Sequence, residues 1–342
     1  MRIALDGMGS DAFPEPEVLG AIQAAREFGW HIILTGNKTQ LLEALTRAVG
    51  PRLPDNITIE HAPERVTSGE QPAFASRQKA KNSIARGLDL VKSGAADAFV
   101  TAGNTGAALT NGLLVMKRIT GIRRPALTVT LPVKNGRCIM LDIGANAECK
   151  PEYLFQFGIM GAVYAETALG ITNPRVGLLS NGEETGKGNE LTRAAHHLLT
   201  TANLNFIGNI EPKDIFGGAA DVVVTDGFTG NVALKVTEAV AGLVGSMIKN
   251  AFTSSPLAMM GGLLAKSAIR HASRDLDPNE VGGVPLLGLN GIAIKAHGRS
   301  NARAIRSALV AAATAVQNNM ITELQKRIAA SANPISQPAA PT

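Results

Sequence analysis

The stretch Val100-Thr101-Ala102-Gly103-Asn104-Thr105-Gly106-Ala107-Ala108-Leu109 decides how this chain reads. A short apolar run, Ala98 to Val100, breaks into small residues and restarts as a small-residue helix. That is the sequence form of a strand end, a tight loop and an exposed helix N-terminus. Unpaired backbone N–H groups and the positive end of the helix dipole suit an oxyanion or a phosphate there. The pattern returns at Leu141-Asp142-Ile143-Gly144-Ala145-Asn146, at Leu179-Ser180-Asn181-Gly182 and at Val224-Thr225-Asp226-Gly227-Phe228-Thr229-Gly230-Asn231. Each follows an apolar run and precedes a helical stretch. The loops are therefore expected to share one anion-binding crevice at the carboxyl ends of parallel strands.

Outward from these loops, apolar runs and helical stretches alternate through most of the chain. Strands are predicted at 3–6, 31–35, 57–60, 98–101, 127–133, 138–142, 176–180, 206–209 and 222–225. Helices are predicted at 15–28, 40–49, 76–92, 107–117, 151–169 and 188–202. This alternation predicts an α/β fold with a mostly parallel sheet covered by helices on both faces. After Asn231 the rhythm changes. One long helix reads from Val232 to Phe252, and a second apolar helical segment from Ser254 to Arg270, broken at Pro256 and at Gly261-Gly262. Residues 1–330 are expected to form one catalytic unit, in one or two lobes, with a helical projection at about 232–275. The Ala/Pro/Ser-rich tail 331–342 reads as disordered.

Composition narrows the classes. Among 342 residues, 45% are hydrophobic and 18% charged, while aromatics are only 4% and glycine numbers 36, so packing relies on aliphatic and small side chains. The net charge of +5 is mild and comes without a Lys/Arg run, which argues against nucleic acid. Cys138 and Cys149 make no disulfide framework, no signal peptide opens the chain, and no apolar segment reads as long enough to span a membrane. A reduced, cytoplasmic protein is expected.

Several motifs fall short of familiar chemistry. Gly7-x-Gly9-x-x-Ala12 follows a strand like a dinucleotide fingerprint, but Pro14 and Pro16 occupy the helix that should follow. No acidic residue closes the second strand either, at Thr35-Gly36-Asn37. Asp6 and Asp11 instead line or shape a site. Gly182-Glu183-Glu184-Thr185-Gly186-Lys187 is one residue short of a nucleotide P-loop, and Gly188 replaces its Ser or Thr. Cys149 has no sequence partner that would make it a nucleophile, and His196-His197 lacks metal-ligand spacing. Lys295-Ala296-His297-Gly298-Arg299-Ser300-Asn301 gathers three cationic or titratable groups around a glycine, between an apolar run and a helix. No cofactor and no metal are expected.

Taken in order, these loops resemble one family, the bacterial phosphate acyltransferases of phospholipid synthesis. The matching stretches are Ala4-Leu5-Asp6-Gly7-Met8-Gly9-Ser10-Asp11, Gly103-Asn104-Thr105-Gly106-Ala107, Arg124-Pro125-Ala126 and Leu141 to Asn146. They continue with Glu183 to Glu190, Thr225 to Val232, Gly282-Gly283-Val284-Pro285-Leu286-Leu287-Gly288 and Lys295 to Asn301. The resemblance implies a fold like that of isocitrate and isopropylmalate dehydrogenases and phosphotransacetylases, in a homodimer. It implies reversible transfer of a fatty acyl group from acyl-carrier protein to inorganic phosphate. The acyl phosphate would feed a membrane glycerol-3-phosphate acyltransferase, which places the enzyme at the inner face of the cell membrane. A coenzyme A-dependent phosphate acetyltransferase and a non-catalytic scaffold for lipid-synthesis enzymes are the alternatives.

Because phosphate is the nucleophile in such a transfer, no strong base need be built, and the site must orient phosphate and stabilise an oxyanion. The expected phosphate ligands are Gly103, Asn104, Thr105, Gly106, Asp142, Asn146, Asn181, Gly227 and Ser300. Lys187, Lys295, His297, Asn231 and Asp226 are the expected catalytic groups, the cations neutralising charge or protonating the leaving thiolate. Lys266, Arg270 and Arg274 are expected to dock the acidic carrier protein. Leu257, Met260, Leu263 and Leu264 form an apolar stripe that meets either the membrane or the twin subunit.

Overall fold

The computed structural model describes residues 1–67, 69–134, 136–272 and 283–331, with residues 73 and 269–272 described by backbone alone. The strands are β1 (Arg2–Asp6), β2 (His31–Gly36), β3 (Ile57–His61), β4 (Ala98–Thr101), β5 (Ala126–Val133), β6 (Gly136–Leu141), β7 (Arg175–Leu179), β8 (Asn205–Ile210), β9 (Val222–Val224), β10 (Gly283–Leu287) and β11 (Ile292–Ala296). The helices are α1 (Glu15–Phe28), α2 (Lys38–Val49), α3 (Pro72–Gln78), α4 (Ser83–Lys92), α5 (Thr105–Val115), α6 (Pro151–Leu169), α7 (Glu190–Thr200), α8 (Pro212–Gly217), α9 (Gly227–Thr253) and α10 (Pro256–Ala272). Two more, α11 (Ala302–Gln317) and α12 (Met320–Ser331), complete the described chain.

The eleven strands of the described residues join one sheet in the order β3-β2-β1-β4-β11-β10-β5-β6-β9-β7-β8. Strands β3, β2, β1, β4 and β11 are parallel, and so are β6, β9, β7 and β8. Between the groups, β11–β10, β10–β5 and β5–β6 pair antiparallel. Three reversals make the two parallel groups run in opposite directions, so their carboxyl ends fall on opposite edges of the sheet.

Alternation within each strand separates the cores. Ile3 and Leu5 of β1, and Ile139 and Leu141 of β6, face one core shared with α1, α2, α6, α7, α11 and α12. On the other face, Ala4, Phe99 and Ala293 pack under α3, α4 and α5, while Cys138, Met140 and Val223 pack under α8 and α9. Leu127 of β5 touches both of the latter cores and marks the seam between two lobes. Each fully buried Leu, Ile or Phe contributes about 1.5–3 kcal/mol by leaving water.

Four local expectations are corrected. The helix read at 76–92 is two helices, because Asn82 leaves the helical path and caps α4, its Oδ1 accepting from the Ala85 N–H at 2.8 Å. β10 lies outside the predicted strands, and it carries a proline in a sheet interior, where one is unusual. Pro285 has no N–H to pair, and its carbonyl accepts from Thr128 Oγ1 at 3.1 Å. α10 runs through Gly261-Gly262 unbroken, since Gly262 packs directly on Phe252 of α9. Finally, α9 starts at Gly227 and spans 27 residues, long and apolar enough by length and composition alone to cross a membrane. The expected tail falls outside the described residues from 332 onward, as do Arg274 and the last residues of the expected projection.

Candidate functional site

The loop that ends β4 is held from below by a buried carboxylate. Asp6, at the end of β1, is 1% exposed, and its Oδ2 accepts from Thr101 Oγ1 at 2.7 Å. Thr101 Oγ1 in turn accepts from the Gly103 N–H at 2.9 Å. Asn104 caps α5 with Oδ1, which accepts from the Ala107 N–H at 2.9 Å. The N–H groups of Asn104, Thr105 and Gly106 find no acceptor among the described residues. Space is tight on both sides of this turn. A side chain at Gly9 would stand 2.8 Å from the Gly103 N, and one at Gly106 would stand 2.6 Å from Pro72.

The strand beside β4 brings Lys295 next to this turn, paired with Thr101 across the sheet. Lys295 leaves β11 on the α5 side of the sheet and donates to its neighbour's carbonyl at Ala296. Burial pulls its ammonium down to about 8, against the partial support of Asp6 and Asp11. Asp11 N–H donates to the Gly298 carbonyl at 2.8 Å, tying the β1 loop to the loop after β11. In that loop the Arg299 N–H donates to His297 Nδ1 at 3.1 Å, which leaves Nε2 to carry the ring proton. Partial burial, and then the Lys295 charge, lower the His297 pKa. Ser300 is buried, with its N–H donating to the His297 carbonyl. Thus Gly103 to Gly106, Lys295, His297 and Ser300 belong to one group.

A second group forms at the carboxyl ends of β6, β7 and β9. Asp142 Oδ1 accepts from the N–H groups of Leu127, Gly144 and Ala145, at 3.0, 3.2 and 3.0 Å. Its Oδ2 accepts from the backbone N–H and the Nδ2 of Asn146, at 2.7 and 2.9 Å. Burial raises the Asp142 pKa despite these donors. Both oxygens are thus engaged in holding their own loop. Asn146 Nδ2 also donates to the Pro125 carbonyl at 2.8 Å, and the Asn146 carbonyl accepts from the Gly227 N–H at 2.9 Å. Asp226 caps α9, accepting from the N–H and hydroxyl of Thr229 at 2.9 and 2.7 Å. Asn231 stands beside Gly144, exposed. Asn181 Oδ1 accepts from the Gly188 N–H at 2.9 Å, and exposed Lys187 folds its stem over Gly182.

No hydrogen bond joins the two groups among the described residues; α9 connects them. It begins in the second group at Gly227, and eleven residues later, about 16 Å along the axis, Glu238 acts electrostatically on His297, as does Lys235. Beyond that point α9 and α10 pack on each other and expose Val240, Leu243 and Met247, with Leu257 79%, Met260 64%, Leu263 72% and Leu264 84% exposed. Lys266 is exposed on α10, which also carries Arg270. Cys149 has its thiol pushed up to about 11 by burial, which removes the thiolate an acyl-enzyme would need.

Sequence reasoning left Arg65 and Glu17 out of the site. The Arg65 guanidinium donates to the Ser10 and Gly9 carbonyls at 2.9 and 3.3 Å and lies over the Phe13 ring. Glu17 Oε1 accepts from the Ser10 N–H at 2.6 Å. Glu17 carried a weak signal, an acidic residue at an otherwise apolar position of an amphipathic helix; Arg65 carried none. A cavity of about 390 Å³ lies among Glu27, Tyr164 and Arg306, on the side of the sheet covered by α6 and α11.

A family model described as fatty acid synthesis protein matches residues 1–323. A phosphate acyltransferase of Pelotomaculum thermopropionicum is 46% identical over 328 residues, covering 96% of this chain and 95% of that protein. A phosphate acyltransferase of Heliobacterium modesticaldum is 46% identical over 335 residues, covering 98% and 100%. A solved phosphotransacetylase from Streptococcus pyogenes superposes with a TM-score of 0.64 at 19% identity, over 93% of this chain and 94% of that one, a likeness of fold.

Proposed function

The chain belongs to the fatty acid synthesis protein family and is an acyltransferase, and we propose that it transfers a fatty acyl group reversibly from acyl-carrier protein to inorganic phosphate. The observation that carries this reading is the turn Gly103–Gly106. Three N–H groups without an acceptor among the described residues sit at a helix N-terminus that follows Thr101, the residue paired with Lys295 across the sheet, an arrangement suited to a phosphate. The names of the close relatives agree with phosphate as the acceptor.

The step asks little of the protein as a base. The second ionisation of inorganic phosphate lies close to neutral pH, as that of a phosphoserine does, so a good part of it is already dianionic there. A phosphate oxygen attacks the thioester carbonyl carbon; the carbon–oxygen bond forms and the carbon–sulfur bond then breaks. The thiolate leaves and takes a proton. An ammonium held at about 8 is well matched to a leaving thiol, so Lys295 donates that proton or neutralises the phosphate. His297, with hydrogen on Nε2, supplies a neutral donor to the developing oxyanion. In this reading Asn104, Thr105, Gly106 and Ser300 bind phosphate. Asp142, Asn146 and Asp226 shape the second loop group, where Asn231, Asn181 and Lys187 lie across the sheet from the phosphate turn.

The acyl-carrier protein is acidic, and Lys266 and Arg270 on α10, with Arg274 beyond it, supply complementary charge. The exposed stripe of α9 and α10 supports peripheral attachment to the inner face of the cell membrane, where a glycerol-3-phosphate acyltransferase would take the acyl phosphate. A homodimer, one catalytic unit per chain and a cytoplasmic location belong to the same proposal.

The test incubates purified protein with palmitoyl-acyl-carrier protein and phosphate and traps acyl phosphate with hydroxylamine. Phosphate-dependent hydroxamate is expected. Its absence, with acetyl-coenzyme A consumed instead, would replace this reading by the short-chain reaction.

A further inference from the structure

We propose that Glu17 is a positioning residue for phosphate: through the turn Gly9–Asp11 it sets the Gly103–Gly106 cradle against the Lys295–Ser300 loop. The inference rests on the phosphate-site reading above and concerns a side chain with no part in the chemistry itself. Glu17 lies in the first turn of α1 and is fully buried. Its Oε1 accepts from the Ser10 N–H at 2.6 Å, and the Ser10 side chain supports the same buried carboxyl. Burying a carboxyl with so few donors is unfavourable. An aliphatic residue would fill this core position at lower cost, so the carboxyl is there for the turn it grips.

The grip is transmitted on three sides. Arg65 holds the carbonyls of Gly9 and Ser10 from outside the turn, as Glu17 holds the Ser10 N–H from inside. Gly9 abuts the backbone of Ala102 and Gly103 so closely that a methyl would stand 2.9 and 2.8 Å from their nitrogens. Asp11 N–H donates to the Gly298 carbonyl at 2.8 Å, one residue from His297. Displacing the turn therefore moves the anion-facing N–H groups and the cationic loop relative to each other, without touching either directly. Misplacement on the scale of an ångström is enough to lose much of the benefit of orientation.

The experiment measures KM for phosphate and for acyl-carrier-protein thioester in Glu17→Ala and Glu17→Gln, with thermal unfolding of each. Glu17→Ala is expected to raise the phosphate KM at least tenfold with the thioester KM within twofold. Glu17→Gln, whose amide oxygen still accepts from Ser10, is expected to restore the phosphate KM to within threefold. A wild-type phosphate KM in folded Glu17→Ala, or equal losses for both substrates, overturns the proposal; so does a Gln variant no better than Ala. If Glu17→Ala fails to fold, Arg65→Met loosens the same turn from its solvent side and must show the same selective rise. Direct titration of phosphate into wild type and Lys295→Met separates the two levels of inference. If Lys295→Met binds phosphate as wild type does, the phosphate site itself is misplaced; if it does not and Glu17→Ala does, only the positioning role falls.

Discussion

Thr101 Oγ1 donates to Asp6 Oδ2 at 2.7 Å, both residues 1% exposed, and so joins the ends of two neighbouring strands directly beneath the Gly103 turn. The hydroxyl is used twice, since it also accepts from the Gly103 N–H at 2.9 Å. Thr101→Val keeps the shape and removes both bonds, leaving a buried carboxyl short of a donor. A loss of about 1–3 kcal/mol is expected, read as a lower urea midpoint at unchanged slope. Thr101→Ser should recover most of it. A valine variant as stable as wild type would show that Asp6 does not depend on this hydroxyl.

Burial lifts the Glu17 carboxyl from 4.5 to about 7. Between those values the folded chain holds a proton that the unfolded chain releases, so this residue makes stability fall as pH rises through the window. Glu17→Gln has no proton to lose. Its stability relative to wild type should therefore improve between pH 4.5 and 7, by about 3 kcal/mol if the full shift is expressed. Urea unfolding of both proteins at pH 5 and pH 8 measures this. A constant difference between them would mean that Glu17 titrates normally.

The loops were legible in sequence because each pairs a strand end with a capping residue. Asn104 and Asp226 cap α5 and α9 as a small polar residue before a helix leads one to expect. Their mutual arrangement was not legible. The loops divide into two groups because β10 and the β5–β6 hairpin reverse the sheet three times. Local periodicity carries no information on strand order. Asp142 was readable as a loop residue, yet nothing in Leu141 to Asn146 foretold that five donors would converge on its carboxyl. Arg65 and Glu17 reach the turn from 55 and 7 residues away, which motif reading does not capture.

Lys295 gives a prediction on activity. Burial lowers its pKa from 10.5 to about 8, so the ammonium is present below that pH and lost above it. The second-order rate constant for phosphate should decline above about pH 8, and Lys295→Met should lower it by roughly a hundredfold or more, as loss of a charge-stabilising group does. The variant should also lack the alkaline decline. The stability effect has the opposite sign. Between pH 8 and 10.5 the unfolded chain binds the proton more than the folded chain does, so this lysine makes wild type gain stability as pH rises. An unchanged alkaline limb in Lys295→Met would assign it to another group.

The stripe on α9 and α10 supplies the last prediction. Leu263 and Leu264 are 72% and 84% exposed, with Leu257 and Met260 beside them, more contiguous apolar surface than a helix pair leaves open without a partner. Two occupants compete, lipid and a second copy of the chain, and they respond differently to substitution. Replacing Leu263 and Leu264 together by Ser should cut co-sedimentation with anionic phospholipid vesicles at least tenfold, since each buried CH₂ contributes about 0.8 kcal/mol to partitioning. Turnover of acyl-carrier-protein thioester in solution should stay within twofold, because neither side chain approaches the Gly103 turn. Light scattering on the same samples decides between the occupants. A variant that keeps its vesicle binding and falls to half the wild-type mass would assign the stripe to the subunit interface instead.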